Sequence, residues 1–249
     1  MPMLTFRQML VLTAAALILS SATQRAHSQP AATPTRGSVI FVPPPQRRRP
    51  ASTIGAGSRQ DWSCFSQPSQ GFAPEFQPPL PLVPTDSNYG QTQAAHPTFW
   101  IYLPRSQARQ AILSIRDEAG QYHSQTTFPL TGAPGTVGLS LPLSAPPLEI
   151  DRDYEWAVVL VCNQQPLPND PAVTAWVRRV AMPPAPALTT PLERAVWYGN
   201  NSLWYDTLDQ LARGLRSQPN NPALAAAWEN VLREGKLETL AERPLEPFF

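Results

Sequence analysis

Residues 196–206, "VWYGNNSLWYD", hold the side chains in this sequence best suited to recognition. Trp197 and Tyr198 recur as Trp204 and Tyr205 seven residues later, with Asn200, Asn201 and Ser202 between them and Asp206 directly after. Rings beside amide side chains suit a sugar or peptide: apolar faces for stacking, oriented donors and acceptors for specificity. The same residues also have a structural use. Trp204 falls on the apolar stripe of a helix, and asparagines at a helix joint commonly cap backbone groups. Both uses stay open on the sequence.

Other reactive groups are sparse. Of the three histidines, His27 lies near the N-terminus, His96 precedes a proline, and His123 falls on the polar side of a hairpin. No H-E-x-x-H or G-x-S-x-G motif occurs, and "GAGSR" (55–59) lacks the lysine of a phosphate-binding loop. Glu149, Asp151, Asp153 and Glu155 recur at every second residue, so in an extended chain they share a side and offer oxygen ligands to calcium. The alternative is a solvated turn leading into a strand, since the glycine-containing loop of known calcium motifs is absent. Glycoside chemistry would need two carboxyls roughly 5 to 10 Å apart, for which Glu155 and Asp206 are a candidate pair. No cofactor motif is present, and the expected reading is non-catalytic.

The two cysteines, Cys64 and Cys162, are most simply read as one disulfide in an oxidising compartment. The N-terminus points to that compartment. Arg7 precedes an apolar run from Met9 to Leu19 followed by small residues, the plan of a secretory signal over 1–28 with cleavage after Ala22 or Ser28. No later stretch approaches the roughly 20 apolar residues of a membrane helix. The formal charge is +1, and loss of Arg7 and Arg25 would make it −1, too little to attract nucleic acid. Its distribution is uneven. Residues 29–60 form a Pro/Arg-rich arm whose only charges are Arg36, Arg47, Arg48, Arg49 and Arg59, whereas residues 61–249 carry a net −6. The arm reads as extended chain, able to dock on an anionic envelope surface or partner or to serve as a solvated linker. Its "SVIFV" patch is suited to pairing along a sheet edge.

The elements that must position these groups follow from periodicity. From Phe99 to Leu103 both alternating faces are apolar, as in a strand covered on two sides. Residues 111–128 read as a hairpin whose covered side carries Ala111, Leu113, Ile115 and then Tyr122, Ser124, Thr126 and Phe128. "GTVGLSLP", the central "YEWAVVLVC" and "VTAWVRRVAM" complete six strands with prolines between them. Without crossover helices this predicts a mainly β fold over 61–186, an antiparallel sandwich of Ig-like or jelly-roll-like type. After Pro186 the period becomes helical. Thr190 to Glu193 is a capping box opening a helix that closes near Gly199, and Ser202 is placed to cap a second carrying Trp204, Leu208, Leu211 and Leu215. Asn221 and Pro222 open a third helix that stops at Gly235, with a last turn or two over 237–241. The pair from Leu203 to Glu234 has the size of one tetratricopeptide-like unit without a second copy, so 187–249 reads as a helical cap packed on the sandwich.

Taken together, "FVPPPQRRR", "GAGSR" ahead of Cys64, "LVP", "PTFWIYLP", "YEWAVVLVC", "WVRRV" and "WYGNNSLWYD" resemble the cyanobacterial domain of unknown function numbered 928, over roughly residues 38 to 245. At Ser202 this chain departs from the family pattern, which favours glycine. The resemblance implies an exported cyanobacterial protein of a family whose members often lie near sensory or surface-secretion genes. It implies no activity.

Overall fold

The computed structural model describes residues 39–44, 64–65, 78–183 and 186–246. The signal-like segment and the arginines of the arm therefore lie outside the described residues. Among the described residues there are eight strands: β1 (Leu80–Pro81), β2 (Tyr89–Thr92), β3 (Thr98–Leu103), β4 (Gln110–Asp117), β5 (Tyr122–Pro129), β6 (Gly135–Ser140), β7 (Asp153–Val161) and β8 (Ala172–Arg179). Three helices follow, α1 (Pro191–Asn200), α2 (Trp204–Ser217) and α3 (Pro222–Glu234), and then a 3-10 turn at Glu238–Leu240.

The strands form a three-stranded sheet, β1-β3-β6, and a five-stranded sheet, β2-β8-β7-β4-β5. The fold is mainly β, but one ladder departs from the all-antiparallel expectation: β2 runs parallel to β8. A parallel neighbour needs a crossover helix only when the two strands follow each other closely. Here most of the sandwich intervenes between β2 and β8 and serves as the connection. The sequence of β2, "YGQT", has too few apolar residues to show a period, and β1 is only two residues long.

All six residues of β3 are buried, as their two apolar faces demand. Phe99 points between the sheets, its ring 5.0 Å from that of Trp156 and 5.7 Å from that of Tyr205. Tyr102, on the opposite face, lies under the guanidinium of Arg243 at 5.4 Å. The C-terminal segment thus covers the far side of the small sheet, where Thr136 and Leu245 form a parallel bridge. β7 is central in the large sheet, its alternating burial leaving Trp156 inward and Glu155 outward. The hairpin of β4 and β5 forms as expected, except that Tyr122 is 69% exposed rather than on the covered side. A register shift beside Ile115 and Arg116 turns the first residue of β5 out of the alternation.

Cys64 and Cys162 form the expected disulfide, with Cα atoms 5.5 Å apart. Closing a loop of this size is worth about 4 to 5 kcal/mol by the chain-entropy argument. The clasp is reinforced by a bridge from Phe65 to Ser106 and by the Gln107 amide, which donates to the Cys64 carbonyl at 2.8 Å. Among the described residues no helix is long and apolar enough to cross a membrane.

The helices begin and end largely where the local chemistry dictates. Thr190 and Glu193 make the reciprocal capping box, and Asn221 caps α3 through the Ala223 and Leu224 amides. Gly235 ends α3. Ser202 does not cap α2. Leu203 takes that position, and Ser202 sits one residue earlier with φ 63°, the left-handed conformation that lets α1 reverse into α2. "SVIFV" also departs from expectation. Its described residues, Val39 to Val42, lie across the helices rather than along a sheet edge, because the Val42 amide donates to the Gly199 carbonyl at 3.0 Å.

Candidate functional site

The 197–206 motif is the joint between α1 and α2, and its residues divide into two groups. Asn201 closes α1, its side-chain amide donating to the Trp197 carbonyl at 2.7 Å. The Leu203 amide returns to the Tyr198 carbonyl at 3.0 Å, which completes the reversal. Three consecutive side chains are thereby driven inward. Trp204 is fully buried and its indole N–H donates to the Leu82 carbonyl at 2.8 Å. Tyr205 reaches the large sheet, where its hydroxyl accepts from the Trp156 indole at 2.8 Å and donates to the Trp176 carbonyl at 2.9 Å. Burial holds the Tyr205 phenol far above its ordinary range.

Asp206, third residue of α2, is 9% exposed. Its carboxylate accepts from the Gln93 amide at 3.1 Å. Burial pushes the carboxyl up to about 7, opposed by hydrogen bonds from the Thr92 hydroxyl, the Gln93 amide and its own backbone amide. Tyr198 completes this cluster. Its hydroxyl accepts from the Gln93 side-chain amide at 3.0 Å, and burial, with the nearby Asp206 carboxylate, raises its phenol. The cluster stitches both helices to the strand end just after β2.

What remains accessible is Asn200, which is exposed, and the half-buried pair Trp197 and Tyr198, whose rings meet edge to face at 5.2 Å. The motif therefore brings together two half-open rings and one exposed amide. Its other four candidates, Asn201, Trp204, Tyr205 and Asp206, are engaged in internal contacts, as is the hydroxyl end of Tyr198.

One contact partner's docking place carried no signal in the local sequence. The segment Val39 to Pro44 forms a strap over the joint. Val39 is fully buried and Phe41 is 7% exposed, while Ile40 and Val42 between them are about half exposed. Phe41 meets Trp204 edge to face at 4.8 Å, and its amide donates to Glu234 Oε2 at 2.6 Å. Burial raises the Glu234 carboxyl, a shift that the Phe41 amide opposes. Gly199 explains its own identity here, because a Cβ at that position would stand 2.8 Å from the Ile40 carbonyl oxygen. Gly235 does the same for Trp204, whose ring edge would lie 2.6 Å from a Cβ.

The carboxylates do not assemble as the spacing suggests. Asp151 has φ 62° and breaks the alternation, so Glu149 and Asp151 belong to a turn rather than to a strand face. Glu149 pairs with Arg152 at 3.1 Å, while Arg178 engages Asp153 at 3.0 Å and Asp151 at 3.6 Å. Arginines thus occupy the oxygens that a calcium ion would need, and no cluster fit for a metal occurs among the described residues. Glu155 and Asp206 do not form a glycosidase pair either. Trp156 points to the face that receives Tyr205, so Glu155, its neighbour in the strand, points away from α2. Burial raises the Glu155 carboxyl, Arg116 opposes the shift, and among the described residues Oε1 has no hydrogen-bond partner.

His96 and His123 bond through Nε2 to the Ala145 and Pro146 carbonyls at 3.0 and 3.1 Å, and so pin the loop between β6 and β7. A groove of about 460 Å³ lies elsewhere, between the end of α2, α3 and the C-terminal segment, with Leu215, Trp228, Glu229 and Arg243 in its walls. None of the motif residues lines it.

Among solved structures, the fibronectin type III domain of the human collagen alpha-1(XX) chain matches 50% of this chain and 98% of its own length, at 16% identity and a TM-score of 0.28. No curated protein matches. The profile of the Domain of Unknown Function DUF928 matches residues 54–245, and the chain belongs to that family.

Proposed function

We propose that this chain is an exported, non-catalytic adaptor or sensor-associated interaction protein of the cell envelope, of cyanobacterial origin, which contacts its partner through the basic arm and the helical cap. The observation that carries the reading is the seating of Val39 to Pro44 on the helices. Arg47, Arg48, Arg49 and Arg59 lie in the stretch between that seat and Cys64, which the disulfide ties to the sandwich. Both flanks of the arginine-bearing stretch are held by the body. A charged stretch fixed at both ends loses less freedom on docking than a free tail. The apolar run after Arg7 and the disulfide support export.

A second reading, binding of envelope glycan, is favoured by the half-open Trp197 and Tyr198 rings beside Asn200.

Capture from envelope extract separates the two. Three baits are needed: the mature chain, the chain lacking residues 29–60, and the full chain with the four arginines changed to glutamine. Loss of a captured envelope protein with both altered baits supports the adaptor. Retention of all three on peptidoglycan or polysaccharide beads, abolished by Trp197→Ala, supports glycan binding and contradicts the adaptor.

A further inference from the structure

The strap is held by short-range features of a short extended segment. Two alternate side chains, Val39 and Phe41, are buried, and the residues between and after them face outward. Two backbone amides are read, that of Phe41 by Glu234 and that of Val42 by the Gly199 carbonyl. The seat supplies the Trp204 ring for Phe41 and, at Gly199, the missing side chain that admits the Ile40 carbonyl. Main-chain hydrogen bonds for affinity and pockets for alternate side chains are the terms in which proteins recognise extended peptides. From this geometry we propose that the seat between α1 and α3 is a recognition site for an extended peptide of alternating apolar pattern, and that its partner is residues 39–42 of a second copy of this chain, exchanged for the resident strap.

The seat is complementary to this sequence, and every copy carries it. Residues 45–63 separate the strap from the disulfide-anchored Cys64 and span up to about 65 Å when extended, enough to reach a neighbouring molecule. Exchange of an identical segment between copies needs no contact that the monomer lacks. Within one chain the strap is favoured by its high effective concentration, so exchange is expected at high protein concentration or when the resident strap is weakened. This proposal does not depend on where the protein acts.

Two full-length variants provide the test. In the first, Val39→Ser with Phe41→Ser spoils the strap and leaves the seat open. In the second, Gly199→Ala spoils the seat, since its Cβ would stand 2.8 Å from the Ile40 carbonyl oxygen, and frees an intact strap. Sedimentation of each alone should show monomers. Their equimolar mixture should form a one-to-one heterodimer at least about tenfold tighter than either self-association. A synthetic peptide of residues 38–44 should dissociate that heterodimer and bind the strap-spoiled variant, with a change in tryptophan emission that is absent with Trp204→Phe. The same peptide with Phe41→Ala should bind at least about tenfold more weakly. A mixture that stays monomeric while both variants melt cooperatively overturns the proposal, as does a heterodimer that the peptide cannot displace. If either variant fails to melt cooperatively, Phe41→Ala and Glu234→Ala take their places, with the same outcomes read the same way.

Discussion

The Trp156 indole donates to the Tyr205 hydroxyl at 2.8 Å, so that one phenol on α2 satisfies a buried donor in the middle of the large sheet. The same hydroxyl donates onward to the Trp176 carbonyl, which couples the helix to two adjacent strands. Removing this hydroxyl leaves the buried Trp156 donor without its acceptor and takes one donor from the Trp176 carbonyl. Tyr205→Phe keeps the ring and removes the bridge. The expected loss is about 1 to 3 kcal/mol of unfolding free energy. Urea denaturation should show a lower midpoint with an unchanged slope, and an unchanged midpoint would show that the bridge contributes nothing.

Asp206 makes stability depend on pH in the direction opposite to a salt-bridged carboxylate. Its folded-state carboxyl is pushed up to about 7 from an ordinary value of 3.8. The folded form therefore holds the proton more tightly than the unfolded one. This group's contribution is greatest below pH 3.8 and is lost as pH rises towards 7, at up to about 1.4 kcal/mol per pH unit. Glu155 and Glu234, also raised by burial, act in the same direction, so the wild-type profile alone does not isolate Asp206. The difference between wild type and Asp206→Asn does. Unfolding free energies at pH 4, 5, 6 and 7 should fall less steeply in the variant, and parallel profiles would contradict the assignment.

Ser202 stands in a conformation that glycine adopts without strain, with φ 63°. A non-glycine residue there costs on the order of 1 kcal/mol. Ser202→Gly should raise stability by about 0.5 to 1 kcal/mol, read as a thermal midpoint higher by about 1 to 4 °C. Ser202→Ala keeps the Cβ and should gain nothing. A glycine variant no more stable than the alanine variant would show that the turn is unstrained.

Much of this arrangement was legible in the chain itself, and the failures share a cause. β3 and β7 announce themselves because their apolar runs are long and their prolines fall outside. Thr190 to Glu193 and Asn221 to Pro222 start helices because capping chemistry is local. What escaped depends on residues far away in sequence. β2 is polar and finds its partner 87 positions on, as Tyr89 faces Trp176. Phe41 is held by Glu234, 193 residues distant, so "SVIFV" alone suggested a sheet edge. The carboxylate alternation from Glu149 to Glu155 failed for a local reason, the left-handed turn at Asp151. In the 197–206 motif the residue types correctly marked the joint. Their division into three inward side chains, one helix-closing asparagine and three more accessible residues required the turn geometry at Ser202, which spacing does not encode.

The large aromatic side chains Trp100, Trp156 and Trp204 are committed to holding sheets and helices together. Hydroxyl-radical footprinting of the native protein, read residue by residue by mass spectrometry, tests this most directly. Trp100, Trp156 and Trp204, all fully buried, should label at the background rate until the protein unfolds, while Tyr122 at 69% exposure labels readily and Trp197 at an intermediate rate. Native-state labelling of Trp156 or Trp204 as fast as that of Tyr122 would contradict the account and mark those rings as an open binding surface.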